Sequence, residues 1–330
     1  MCGILGILTR RREAPRLFEA DVARLAHRGP DDCGTFMAQH VALGHSRLAI
    51  IDLSAAGRQP MTRGRLTIVF NGEIYNYVEL RDELIAAGEG FRTATDTEVI
   101  LAAYDRWGAS CVERFRGMFA IAIWDEGART LFLARDRCGE KPLLYWTDGS
   151  RFCFASEVKA ILPLLPERLA LDPSAVDMYL HYQFVPEPLT PLVGLRKLPA
   201  AHRLTLSLDT DFRRDPEAYW CIEECGRDVA VPATLPAAIA ALREAFDESV
   251  RLMLRSDVPV GVALSGGIDS GAIAAVAQRN SSAGMHAFSI GYPGRPPYDE
   301  RNDARRLAES LGMAFHEVEI PVDDFSEQFP

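Results

Sequence analysis

Val258 to Gln278 reads VPVGVALSGGIDSGAIAAVAQ, and the class of the C-terminal part of the chain turns on this stretch. VPVGVALS is a short apolar run of the kind that forms a buried strand. SGGIDS interrupts it with paired glycines, and SGAIAAVAQ resumes as a helical run. A strand MHAFSIGY from Met285, a helical run ERNDARRLAESLG from Glu300 and a strand AFHEVEI from Ala314 follow. The alternation predicts a βαβαβ unit of a doubly wound parallel α/β sheet. Just upstream, Leu235, Ile239, Leu242, Phe246, Val250 and Met253 are spaced for one helical face.

From Cys2 to Pro163 the pattern is different. Short strand-like runs dominate: GILGILT, VALGHSRLAIID, RLTIVFNGEIY, FAIAIWD, RTLFLARD, LLYW and RFCFAS. LLYW and RFCFAS flank Asp148-Gly149, which predicts a hairpin closed by a tight primed turn. Two helices interrupt the strands. Tyr77 to Ala87 places Tyr77, Leu80 and Leu84 on one face before Gly88, and Thr95-Asp96-Thr97-Glu98 is a capping-box pattern opening a second apolar run. Many strands with few helices imply an α+β layered domain with antiparallel sheets. Pro163 to Pro166 mark its end, and Asp172-Pro173 cap a helix near Ser174 to Tyr182. The expected domains are therefore 1–163, a connecting region 164–234, and 235–330.

Bulk properties agree with two domains, since 330 residues, 48% hydrophobic and 25% charged, exceed what one core usually organises. A formal charge of −10 disfavours nonspecific binding to nucleic acid or to an anionic membrane and points to small-molecule chemistry. Seven cysteines without a compact framework fit reduced thiols and a cytoplasmic setting. MCGILGILTRRR puts its apolar stretch before its basic cluster, the reverse of a secretion signal. No uncharged apolar run approaches the roughly 20 residues of a membrane-spanning helix.

Cys2 becomes the amino-terminal residue if Met1 is removed, which sets a thiol beside its own α-amine. An α-amine has an ordinary pKa of about 7.7 to 8.0, so a useful fraction is neutral near pH about 7 and can accept the thiol proton. The alternative is an incidental apolar residue at the head of a strand. Polar strings in otherwise apolar surroundings bear on the choice: HRGPDD at His27–Asp32, GHSRLAIIDLS from Gly44, QPM at Gln59, NGEIYN from Asn71 and TDTEVILAAY from Thr95.

In this order after the initial CGI, these strings resemble the class II glutamine amidotransferase domain, an amino-terminal-nucleophile hydrolase with an αββα sandwich. FRGMFAIAIWD, ARDRCGEKPLLY and FASEVKAI resemble the same domain in asparagine synthetases, so the resemblance covers residues 2–160. It implies Cys2 as nucleophile and an oxyanion hole from the Asn71 side chain and the Gly72 N–H, where glycine permits close backbone approach. It also implies Arg47 as a planar fork for the glutamine α-carboxylate, and Glu73 and Asp96 as acceptors for the substrate ammonium. Locally, Asn71-Gly72 also reads as a hairpin turn, Asp96 as a residue favouring a helix N-terminus, and Arg47 as a surface arginine. His27, His45 and Asp31 are expected to organise the site or its loops.

SGGIDS at Ser265–Ser270, between strand and helix, would point backbone N–H groups at an anion. It lacks the lysine ending of a Walker A loop, and simple strand-to-helix geometry is the alternative. Read whole, SDVPVGVALSGGIDSGAIAA resembles the pyrophosphate loop of ATP pyrophosphatases in its asparagine-synthetase form. The resemblance implies ATP bound by Ser265, Gly266, Gly267, Ile268, Asp269 and Ser270, Mg²⁺ on Asp269, and Ser289 and Ile290 near adenine. Tyr298, Asp299 and Glu300 either face the nucleotide or open a helix. Gly271 departs from the family, which commonly has a second serine there.

The implied reaction has two halves: Cys2 releases ammonia from glutamine, and ammonia displaces AMP from an ATP-activated carboxylate, by resemblance that of aspartate. The sequence ends at Pro330, before the family's acceptor segments. The expectation is a truncated synthetase half, completed by a partner chain or inactive alone, with a homodimer also possible. A different carboxylate acceptor, a stand-alone glutaminase and a noncatalytic subunit are the other readings. Cys221 and Cys225, with no second pair nearby, read as structural thiols rather than a zinc site.

Overall fold

The structure, a computed structural model, describes every residue except 12–13, 18, 227–231, 282–283 and 322–330. Two units emerge, Met1–Asp228 and Val229–Pro330. In chain order the first begins β1 (Gly3–Thr9), α1 (Glu19–Ala23), β2 (Asp32–Met37), β3 (Val41–Arg47), β4 (Met61–Arg63) and β5 (Leu66–Ile74). It continues through α2 (Tyr77–Ala86), α3 (Asp96–Trp107), α4 (Cys111–Arg114), β6 (Gly117–Asp125), β7 (Thr130–Arg135), β8 (Leu144–Thr147) and β9 (Arg151–Ala155). It closes with α5 (Val158–Ile161), α6 (Pro173–Tyr182), β10 (Arg196–Lys197), β11 (His202–Ser207) and β12 (Glu217–Ala218).

These strands form two antiparallel sheets, ordered β10-β8-β9-β1-β3-β2 and β12-β11-β7-β6-β5-β4. One inner face carries Ile4, Leu8, Leu43, Phe152 and Phe154, and the other carries Val69, Ala120, Ala122, Leu131 and Leu133; they share one apolar layer. Outside the second sheet, α2, α3 and α4 bury Leu80, Leu84, Ile100, Ala103 and Val112. Outside the first, α1 and α5 contribute Val22, Ala160 and Ile161. The layers are therefore αββα, as the strand-rich sequence and its resemblance imply.

Residues 164–226, part of the stretch 164–234 expected to connect two domains, are built into the first unit. β11 pairs with β7 over Arg203–Ser207, and Leu204 and Leu206 lie in the layer between the sheets. The β8–β9 hairpin forms, but its turn is not of the doubly positive primed type. Among Asp148, Gly149 and Ser150, Gly149 alone has positive φ, at 93°. The Asp148 carboxylate accepts from the N–H groups of Ser150 and Arg151 at 2.7–2.8 Å and supports the wider loop.

The second unit comprises α7 (Leu235–Met253), β13 (Gly261–Ala263), α8 (Ile268–Asn280), β14 (His286–Gly291), α9 (Arg301–Ser310) and β15 (Ala314–Glu319). The three strands are parallel in the order β13-β14-β15. Val250, Ala274, Ala277, Ala304 and Ala308 from the helices pack with Ala287 of the sheet. On the opposite face Phe288, Ile290 and Val318 are exposed. The strand expected to be buried over Val258–Ser265 pairs only over Gly261–Ala263, and Gly261 and Ala263 are exposed. Among the described residues, helices cover one side of this sheet.

Candidate active site

Cys2, Arg47, Asn71, Gly72, Glu73 and Asp96, the six residues singled out for amide chemistry, all line one cavity of about 150 Å³. They arrive from four places: the head of β1, the end of β3, the second half of β5 and the first turn of α3. The stacking of the two sheets brings β3 and β5 together. His45 on β3 spans the gap, with Nε2 3.0 Å from Phe70 O. Burial pulls His45 down to about 4, so its ring is neutral and Nε2 is the donor.

Cys2 Sγ lies at the end of β3, 3.4 Å from Leu48 N and 3.5 Å from Leu48 O. Burial pushes its thiol up, while the Leu48 N–H, the α-ammonium and Arg47 pull the other way. Arg28 Nε donates to Cys2 O at 2.9 Å and fixes the backbone. Burial lowers the amino-terminal ammonium too; Arg28 and Lys141 add to that effect, and Cys2 and Asp31 oppose it.

Arg47 is buried, so the surface reading of this residue is set aside. Its two terminal nitrogens donate to the backbone carbonyls of Ser54 and Asp52. Each terminal nitrogen carries a second N–H beyond these bonds.

Asn71 and Gly72 lie inside β5, paired with Ala120 and Phe119, and not at a hairpin turn. Asn71 is fully buried and neither its amide nitrogen nor its amide oxygen has a hydrogen-bond partner. A native protein rarely leaves such a group unmatched, because desolvation without a partner costs roughly 1–3 kcal/mol. Gly72 has φ of 155°, and a Cβ there would sit 2.0 Å from Met118 O. Any larger residue would force β5 and β6 apart beside the cavity.

The carboxylates are electrostatically loaded. Burial, then Asp96, pushes Glu73 up to about 7, with Lys141 opposing. Asp96 rises to about 6 because burial outweighs its hydrogen bonds. It accepts from Ile74 N at 3.0 Å and from Thr95 Oγ1 at 3.2 Å, tying α3 to β5, while its place in the first turn of α3 also suits the helix N-terminus. Thr95 is the cap, accepting from Thr97 N at 3.2 Å. The reciprocal half of the expected capping box is not made. Glu98 instead accepts from Arg92 N, Thr93 N and the Thr93 hydroxyl and holds the preceding loop. Asp31 accepts from Ala49 N at 2.8 Å, whereas His27 meets Glu157 at the surface.

Sequence reasoning assigned nothing to Gln59 and Lys141, which also line the cavity. Gln59 accepts from Phe70 N at 2.7 Å and donates to Thr97 Oγ1 at 3.2 Å, linking β5 to α3. Lys141 is buried, with Nζ 3.1 Å from Met1 Sδ. Its signal in the sequence is a lysine in the polar loop DRCGEKP, just ahead of the strand LLYW.

In the second unit, a cavity of about 430 Å³ is lined by Ser265, Ser270, Ser289, Ile290, Tyr292 and Tyr298, among others. The structure brings four expected nucleotide residues together there. Ile268 and Asp269 sit instead on the exposed first turn of α8. The loop is partnered internally: Gly266 N donates to Glu300 Oε2 at 3.2 Å, Gly267 N to Ser265 Oγ at 3.1 Å, and the two serine hydroxyls meet at 2.8 Å. Glu300 thus faces the loop, while Asp299 is held by Arg301, which keeps its carboxyl down at about 2. Serine hydroxyls, glycine N–H groups and the start of a 13-residue helix make a donor set that fits a polyphosphate. Asp269 fits as one oxygen ligand of a magnesium ion otherwise held by phosphate and water.

Two antiparallel sheets between helical layers, with a cysteine at the head of an inner strand, define the amino-terminal-nucleophile hydrolase architecture. The profile of the glutamine amidotransferase domain matches residues 1–220, and that of asparagine synthase matches residues 241–330. The chain therefore belongs to the glutamine amidotransferase family, in the form joined to an asparagine synthase domain. It is 35% identical to asparagine synthetase [glutamine-hydrolyzing] 1 of Bacillus subtilis, over 100% of this chain and 52% of that protein. It is 34% identical to a putative asparagine synthetase 2 of Methanocaldococcus jannaschii, over 99% and 66%. It is also 30% identical to the amidase chry2 of Gibberella zeae, over 100% and 52%. The chain thus spans about half the length of most of these relatives. No helix among the described residues is long and apolar enough to cross a membrane.

Proposed function

We propose that the first unit hydrolyses glutamine with Cys2 as its nucleophile and that the ammonia serves an ATP-dependent amidation, with aspartate as the acceptor. The observation that carries the reading is Asn71, an amide buried without a partner in the cavity that holds Cys2. Its nitrogen, with the Gly72 N–H, is a donor set kept for the oxyanion of a tetrahedral intermediate. With Met1 removed, the Cys2 α-amine takes the thiol proton. The thiolate attacks the side-chain amide carbon, ammonia leaves with a returned proton, and water hydrolyses the thioester to glutamate. Arg47 holds the α-carboxylate, and Glu73 with Asp96 holds the α-ammonium.

In the second unit, Ser265, Gly266, Gly267 and Ser270 hold the phosphates, Ser289 and Ile290 lie toward the base, and Asp269 takes Mg²⁺. The chemistry that ATP supplies when bound is activation of a carboxylate toward ammonia. The free thiols support a cytoplasmic setting. The proposed functional division is 1–163, 164–234 and 235–330, with residues 164–226 of the middle stretch serving the first unit's fold. A different carboxylate acceptor is the second reading, and the relatives of this chain do not all carry the asparagine synthetase name, one being called an amidase.

The test is glutamate release by the purified chain and by Cys2→Ala, with intact mass to establish the fate of Met1. Cysteine-dependent glutamate is expected. A folded, Met1-free protein that releases none would overturn the glutaminase. Adding ATP, Mg²⁺ and aspartate then asks for AMP and asparagine; AMP formation with another acid alone would move the acceptor.

A further inference from the structure

Lys141 enters the amidase cavity on a loop clamped at its backbone from two sides. The Asp136 carboxylate accepts from the N–H groups of Cys138, Glu140 and Lys141 at 2.9–3.1 Å. Arg135 Nε donates to Lys141 O at 2.7 Å. Arg135 is itself anchored, donating to Leu198 O and Glu187, while the Tyr219 hydroxyl donates to Arg135 O at 2.7 Å. The lysine these groups position is 4% exposed, and its ammonium faces the Met1 thioether. Burial lowers the Lys141 ammonium and the carboxylates of Glu73, Glu140 and Asp136 oppose that effect, yet the hydrogen-bond partner of its Nζ is a thioether, a weak acceptor. So much structure around a cation aimed at Met1 makes sense if Met1 is a temporary neighbour.

We infer that Lys141 is a positioning residue of the amidase: after Met1 is removed, its ammonium faces the new α-amine of Cys2 and holds that amine in its neutral, proton-accepting form. The inference rests on the glutaminase reading. Like charges at close range disfavour the second proton, and the same ammonium favours the Cys2 thiolate. Around the present amino terminus, that of Met1, the other charged groups are Arg28, which acts with Lys141, and Asp31, which opposes it, and Arg28 also donates to Cys2 O. Arg47 stands at the end of β3, Glu73 on β5 and Asp96 on α3. Asp136 and Glu140 lie on the lysine's own loop. Glu73 is therefore a second route by which Lys141 affects pH dependence, and the experiment must separate the two.

The full chain, its Met1 removal established by mass, is compared with Lys141→Met and Lys141→Arg. Two profiles against pH are measured: kcat/KM for glutamate release, and the rate of iodoacetamide alkylation of Cys2 followed by peptide mapping. The second needs neither glutamine nor Glu73. The expected result for Lys141→Met is an acid limb moved up by about one pH unit in both profiles, near tenfold at pH about 6.5 and closing at high pH. Lys141→Arg returns both limbs toward wild type. Lys141→Gln carries the same comparison if Lys141→Met does not fold. An unmoved alkylation profile overturns the inference, whether or not the activity profile moves. If wild type releases no glutamate, the glutaminase reading fails, and alkylation still reports on Lys141 by itself.

Discussion

The amidase cavity and the serine-glycine loop are both polar sites at strand ends, yet they keep their donors in opposite states. In the first, Asn71 is buried with no partner and two carboxylates are driven above their ordinary range. In the second, Gly266 and Gly267 already donate to Glu300 and Ser265, and the loop is largely exposed. The first site carries the cost of preorganisation in the folded state, and a ligand relieves it. The second is satisfied when empty, so a ligand has to exchange one set of hydrogen bonds for another.

The largest expected effect that separates the two is Asn71→Ala. Removing one oxyanion donor should lower kcat for glutamate release by about 10²–10³-fold. The fold should not suffer, because the lost amide makes no hydrogen bond within the protein. Steady-state kinetics beside a thermal melt checks this. Activity within tenfold of wild type, or a large fall in Tm, would show that Asn71 is structural and the contrast false.

Glu73→Gln sharpens the same contrast through pH. The carboxyl titrates at about 7 in the folded chain against an ordinary value of 4.5. The native state therefore binds more protons than the unfolded state between those values, and the stability of the empty cavity falls as pH rises through that window. Glu73 is half-buried, so solvent screening limits the gain for Glu73→Gln to an order of 1 kcal/mol above pH 7. The same substitution should raise KM for glutamine by about 10- to 100-fold, since a charged acceptor for an ammonium is lost. Melts at pH 5 and 8, with and without glutamine, read both signs. A variant no more stable than wild type at pH 8 would sink the claim that this site is strained when empty.

Legibility followed the same division. The strings around Cys2, Arg47, Asn71, Glu73 and Asp96 pointed to residues that do share one cavity. Local propensity alone would have put Asn71-Gly72 in a turn, and only pairing with Ala120 and Phe119 places them inside a strand. HRLTLSL at His202–Leu208 alternates with period two and is a legible strand, but neighbouring prolines made 164–234 read as a connection. Glu98 looked like half of a capping box because its spacing is right; its preference for Arg92 and Thr93 depends on a loop path no spacing encodes. The contact of Glu300 with Gly266 spans 34 residues, one helix and one strand, so nothing local predicts it.

That contact gives the next test. Glu300→Gln removes an anion from the mouth of a proposed phosphate loop, and pyrophosphate should bind about three- to tenfold tighter by titration calorimetry, with glutamate release unchanged. Weaker binding would mean that Glu300 shapes the loop for its ligand instead of standing in for one.

The smallest expected effect concerns Gly271, the departure from the family's serine. Its N–H already donates to Gly267 O, the first bond of α8, so this position lies one step beyond the free N–H groups at the helix start. A Cβ here would meet Leu307 Cδ2 of α9 at 2.8 Å. That atom is the end of a flexible side chain, so the clash is relieved by a rotamer change at the cost of some α8–α9 packing. Against this stands the better helix propensity of serine, worth about 0.5 kcal/mol over glycine. The two nearly cancel, and Gly271→Ser should change unfolding free energy by less than about 1 kcal/mol. It should leave pyrophosphate affinity within twofold, because glycine here serves the approach of two helices and the backbone cradle lies before it. A tenfold gain in affinity would instead place a lost phosphate ligand at 271, and the loop would then be a weakened site, not merely one satisfied when empty.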